Sequence, residues 1–148
     1  MTTEHKLFLK TSGNRPDFRL VKTWLWDEAH KTDSEGNSYN PASQEWTDLY
    51  LGSRENANES IEIFPVTEDP LILQISGSTK EMAARVAYFL LHETAGQLFE
   101  DETLSGNIKL EDLKIQLGNF DIEKATKRTT ESVWRKSSLD NPYPNLKN

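Results

Sequence analysis

Residues 71–101 constrain the fold more than any other stretch, because they spell out strand, capped helix, glycine stop and strand without interruption. Leu71-Ile72-Leu73-Gln74-Ile75 is a nearly unbroken apolar run of strand length between Pro70 and Gly77. A run with so little alternation predicts a central strand covered on both faces or nearly so. Ser78-Thr79-Lys80-Glu81 matches a capping box, in which Ser78 and Glu81 each satisfy an unpaired backbone N–H. The helix that follows carries Met82, Ala83, Val86, Ala87, Phe89, Leu90 and Leu91, a wide apolar face suited to a sheet. Gly96 is read as its left-handed stop, and Gln97–Asp101 as the next strand.

Other elements follow from spacing. His5–Thr11 reads as a strand, and Ser12 to Pro16 as a turn. Phe18, Val21, Leu25 and Ala29 recur at helical steps, predicting a helix from Pro16 or Asp17 to near His30. Residues 31–44 are polar and rich in Ser, Asn and Gly, the composition of a long surface loop. Glu45–Leu51 reads as a strand, and Gly52–Glu59 as a turn. Ser60–Val66 reads as a second strand, marked by Pro65 as an edge or bulge and joined to residues 71–76 as a hairpin. Leu110, Leu113 and Leu117 predict a short helix closed by Gly118, and Asp121 caps a second over Ile122–Arg135. The prolines after Leu139 exclude regular helix there. The expected fold is a single α+β domain over residues 1–148. It has a mainly antiparallel sheet of four or five strands, with the helices near 16–30 and 78–95 on one face. Two C-terminal helices, within an extension over about 107–137, close an edge or end, and 138–148 is an irregular tail. A ferredoxin-like arrangement is the nearest simple topology.

Charge narrows the function. The net charge is −7, but residues 1–120 hold 11 Lys and Arg against 20 Asp and Glu, while residues 121–148 hold 6 against 4. A body at −9 repels phosphate backbones, so nucleic acid is not an expected partner. Such a surface favours encounter with basic partners. No apolar run approaches the roughly 20 residues that span a bilayer. Residues 1–6 lack the layout of a signal peptide, so the expected location is the cytoplasm. Without cysteine there is no disulfide, thiolate metal site or cysteine nucleophile.

The common catalytic patterns do not fit the sequence. His5, His30 and His92 show no metal-binding spacing. Ser76-Gly77-Ser78-Thr79-Lys80 lacks the first glycine and the spacing of a phosphate loop. Ser78 lacks the second glycine of a nucleophile elbow. Residues 100–112 lack calcium-loop spacing. Paired carboxylates such as Glu68-Asp69 are common on any acidic surface. Lys124, Lys127, Arg128, Arg135 and Lys136 form a basic strip, read as a solvated face or one that docks on the acidic body.

The run ILQISGSTKEMAARVAYFLLHETAGQLFEDE, with its acidic, cysteine-free α+β context, resembles bacterial immunity proteins of polymorphic and contact-dependent toxin systems. The likeness is one of layout over roughly residues 60–136. It implies a non-enzymatic protein without cofactor or metal that neutralises a cognate toxin by direct binding, with a basic toxin domain as partner. The residues singled out for partner binding are Glu100, Asp101, Glu102, Glu111 and Asp112, with the aromatics Tyr39, Trp46 and Tyr50. One alternative is a ligand-binding or enzymatic domain with a deep pocket under the 31–44 loop. Another is a structural subunit, which predicts a large exposed apolar patch.

Overall fold

The computed structural model describes residues 5–11, 13–101 and 103–144. Among them the chain is α+β, built on one open, wholly antiparallel sheet of seven strands instead of the four or five expected, because β2 and β7 carry no apolar alternation of their own. In chain order these are β1 (His5–Lys10), β2 (Thr32–Gly36), β3 (Leu49–Ser53), β4 (Ser60–Glu68), β5 (Leu71–Gly77), β6 (Gln97–Phe99) and β7 (Asn107–Ile108). The helices are α1 (Phe18–Leu25), α2 (Lys80–Thr94), α3 (Leu110–Lys114) and α4 (Ile122–Thr130), followed by a 3-10 turn at Val133–Lys136. The spatial order is β2-β3-β4-β5-β1-β6-β7. Its middle, β4-β5-β1-β6 with α1 and α2 as connections, is the ferredoxin-like order. The strands beyond that core are β2 and β3 at one edge and β7 at the other.

The sheet has one helix-covered face. Leu9, Leu49, Leu51, Ile61, Ile63, Leu73, Ile75 and Leu98 point to it and form one core with Val21, Trp24, Val86, Phe89 and Leu90 of α1 and α2. α3 packs on α2 and α4 on α1, so the C-terminal helices extend the helical layer instead of closing an edge of the sheet.

Several boundaries differ from the sequence reading, each for a physical reason. α1 stops at Leu25, short of His30, because Arg128 donates to the carbonyls of Thr23 and Trp24. Those oxygens would otherwise accept from residues 27 and 28. Arg135 does the same to Thr129, and the expected helix 122–135 breaks into α4 and the 3-10 turn. Thr79, not Ser78, caps α2 by accepting from the Met82 N–H at 3.1 Å. The Ser78 hydroxyl is spent on β4, donating to the Asn58 carbonyl and accepting from the Ser60 N–H. Ala95, at φ 53°, makes the left-handed stop assigned to Gly96. Gly96 is needed for close approach, since a Cβ there would lie 2.5 Å from the Lys10 carbonyl. The strand expected at 45–51 runs instead over 49–53, and that expected at 97–101 ends at Phe99. The 31–44 segment, read as loop, contains β2, and β7 was not foreseen.

Candidate interaction surface

The residues singled out from sequence do not converge. Trp46 belongs to the core, not to an interface: it is 1 % exposed, its indole N–H donates to the Pro16 carbonyl at 2.8 Å, and its own carbonyl accepts from Arg15. Glu102 lies outside the described residues, as do Ser12, residues 1–4 and the end of the tail from 145. Glu100 and Asp101 are exposed in the loop that joins β6 to β7. Leu98 pairs with Ile108 and Phe99 with Asn107, so Glu111 and Asp112 follow the opposite end of that short ladder. Tyr39 is 71 % exposed in the β2–β3 connection. Tyr50, on β3, is four strand steps from β6, about 19 Å at ~4.8 Å per step.

Two of these acids have local work. The Asp101 carboxylate accepts from the hydroxyls and backbone N–H groups of Thr103 and Ser105. Those bonds, the Thr103 hydroxyl foremost, hold its carboxyl below the ordinary aspartate value. Asp112 accepts from the Lys109 N–H at the start of α3. The turn around Asp101 delivers Leu104, at φ 60°, to a small second core of Phe8, Ile72 and Phe99, with Val66 alongside. This core lies on the sheet face away from the helices, because Phe8, Ile72 and Phe99 alternate with the inward Leu9, Leu73 and Leu98.

Leu104 and Val66 thus cover one half of that outer face; among the described residues, no helix covers the other half. There the register sets Glu35 beside Tyr50, Tyr50 beside Glu62, Glu62 beside Ser76 and Ser76 beside Lys6, in one row across five strands. Phe64, next along β4, flanks Gln74. Tyr50 is 37 % exposed, and its ring lies over Gly52, where a Cβ would stand 2.5 Å from the Tyr50 hydroxyl. Glu35, Asp48, Tyr50, Glu62 and Phe64 line a shallow depression of about 350 Å³ on this face. The surface joins aromatic area to carboxylates, a combination suited to a basic, partly apolar protein. Tyr50 was visible in the sequence as a break in alternation. Glu35, Glu62 and Phe64 were not, because only the strand order brings them together.

Other arrangements are occupied with structure. His30 accepts from or donates to Ser53 Oγ at 2.8 Å through Nε2 and meets Glu55 at 2.9 Å through Nδ1, the hydrogen-bond order of a hydrolytic triad. The Ser53 oxygen, however, already accepts from the N–H groups of Glu55 and Asn56, and the residue is 8 % exposed. The chain of bonds orders the 53–59 turn. A groove of about 610 Å³ is lined by Lys10, Arg15, Glu68, Asp69 and Gln97. Its Arg15 guanidinium is committed to the Trp46 and Gly13 carbonyls, and burial pushes its pKa down, against the influence of Glu45. In the basic strip, Arg128 and Arg135 bond to helix carbonyls and Arg135 also pairs with Glu93, so both dock on the body.

Beneath the 31–44 segment lies a cavity of about 190 Å³, below the roughly 300–1,000 Å³ of small-molecule sites. Exposed large apolar residues (Tyr39, Tyr50, Ile115, Leu139 and Tyr143) are dispersed along the chain. No group of three or more His, Asp or Glu among the described residues could hold a metal ion. No helix among them is long and apolar enough to cross a membrane. No protein-family model matches the chain, and neither the curated proteins nor the solved structures contain a match to it.

Proposed function

We propose that this chain is a non-enzymatic binding protein that holds a basic protein partner on the uncovered half of its sheet. We take an immunity protein that neutralises a toxin as the working class. The observation that carries the reading is the row Glu35–Tyr50–Glu62 with Phe64, over which no helix lies among the described residues, while Leu104 packs on the other half of the same face. Aromatic area there supplies affinity, and the carboxylates steer a basic partner and fix its register. The surrounding −9 balance of residues 1–120 speeds the encounter.

The test is co-expression with the gene lying immediately upstream in the native locus. Growth arrest relieved by this chain, with a co-purifying complex, is the expected result. A variant carrying Tyr50→Ala and Glu62→Lys should fold normally yet lose relief and lower affinity at least tenfold. No toxicity and no complex, or full relief by the double variant, would sink the reading.

A further inference from the structure

β2 is the last strand of the sheet, and the backbone geometry of its outer edge follows from the register. The Arg54 N–H donates to the Lys31 carbonyl at 2.9 Å, and the Asn37 N–H to the Asp48 carbonyl at 3.2 Å. Pairs 31–54 and 37–48 are therefore the hydrogen-bonded kind. In an antiparallel ladder the two kinds alternate, so residues 33 and 35 also turn their backbone groups toward β3. Thr32, Ser34 and Gly36 point theirs away from the sheet, where β2 is the last strand in the order. Five consecutive pairs keep register without a bulge, and β2 contains no proline. The opposite edge, β7, is two residues long.

The side chains beside this edge define what fits it. Ser34 and Gly36 lie on the helix side, opposite the buried Leu51 and Leu49. They border the 190 Å³ cavity, which Phe18, Pro41 and Leu49 line with apolar area and Glu35 and Ser38 with polar groups; it has room for an aliphatic side chain. Asp33 and Glu35 lie on the uncovered face, continuous with Tyr50 and Glu62. Asp33 is paired with Arg54 at 2.7 Å, and Glu35 shares its depression with Asp48 and Glu62.

We propose that β2 accepts an added antiparallel strand from the partner, an extended segment in which aliphatic and basic side chains alternate. Each aliphatic residue sits opposite Thr32, Ser34 or Gly36, exchanges backbone hydrogen bonds with it, and points to the helix side. The basic residues between them face Glu35 and the Asp33–Arg54 pair. Main-chain bonding with a pocket for alternate side chains is a known mode of peptide recognition. A second copy paired about Ser34 would set each Asp33 opposite the other copy's Glu35, where like charges repel. The proposal rests on the protein-binding reading and adds how the partner engages.

The experiment uses the full chain, isotope-labelled, and the capped heptapeptide Lys-Val-Lys-Val-Lys-Val-Lys. Two further peptides of the same charge carry N-methyl groups on the valines or on the inner lysines. The expected result is perturbation of the Thr32, Ser34 and Gly36 amides, affinity lowered at least about tenfold by methylating the valines, and a change within about twofold on methylating the lysines. Ser34→Pro removes an outward N–H only, so it should keep the β2–β3 ladder and lower affinity about tenfold. The methylated peptides need no variant to fold. Equal loss or no loss from both methylations, or no binding at all, overturns strand addition. Shifts confined to Tyr50, Glu62 and Phe64 overturn it too, while leaving the face reading intact. Failure of that reading shows separately, as no complex with the upstream gene product.

Discussion

Phe8 and Phe64 flank the same Gln74 on the same face of the sheet, yet one is buried and the other only partly buried. Phe8 has Ile72 and Phe99 beside it and Val66 and Leu104 packed against them. Phe64 has Tyr50, Glu62 and Asp48 around its depression. The covered half is held by a loop whose Leu104 takes a left-handed φ that non-glycine residues rarely adopt, and whose Asp101 stitches four hydrogen-bond donors. Cover on this face is thus built where it exists. The other half combines aromatic area with carboxylates, a surface that water tolerates and a basic partner can use.

The comparison breaks first on stability. Trp46→Ala should cost about 3–5 kcal/mol in urea unfolding, since it empties a core site and leaves the Pro16 carbonyl unpaired. Tyr50→Ala on the uncovered half should stay within about 0.5 kcal/mol; equal losses would mean that Tyr50 is a core residue. Arg128→Met is next, with a loss of about 1–3 kcal/mol from two charge-assisted bonds at the end of α1. Amide exchange at residues 26–30 should quicken in that variant. Leu104→Ser should cost about 1 kcal/mol and speed exchange in β6 while leaving β3 and β4 unchanged.

The smallest effect is the acid response of the lid. The folded carboxyl of Asp101 sits below its unfolded value near 3.9. Its contribution is therefore fully present above that value and is lost as pH falls through the folded one. Lowering pH from 6 to 2 should loosen residues 101–106 in the wild type. Asp101→Asn should show that looseness already at pH 6 and lack the transition, as read from backbone amide shifts.

Much of the architecture was legible. The apolar run at 71–75 is a central strand, and the helix spacing of 82–91 packs on it. Asp17 and Asp121 cap their helices. What stayed hidden depended on distant partners. No local pattern says that Arg128 will end a helix about a hundred residues earlier. Thr32–Gly36 is polar on both faces, because one side of β2 meets solvent and the other only a small cavity. The proposed surface was legible in one residue, Tyr50. Glu35 and Glu62 become its neighbours only through cross-strand register. The acidic clusters that stood out along the sequence turned out to be separated or engaged in their own turns.

The most direct measurement is a hydrogen-exchange footprint of this chain in complex with the upstream gene product. The account predicts new protection at residues 32–36, 50–52, 60–64 and 74–76, with 100–112 and the helices unchanged. A footprint confined to 100–112 or to the helical layer would contradict it.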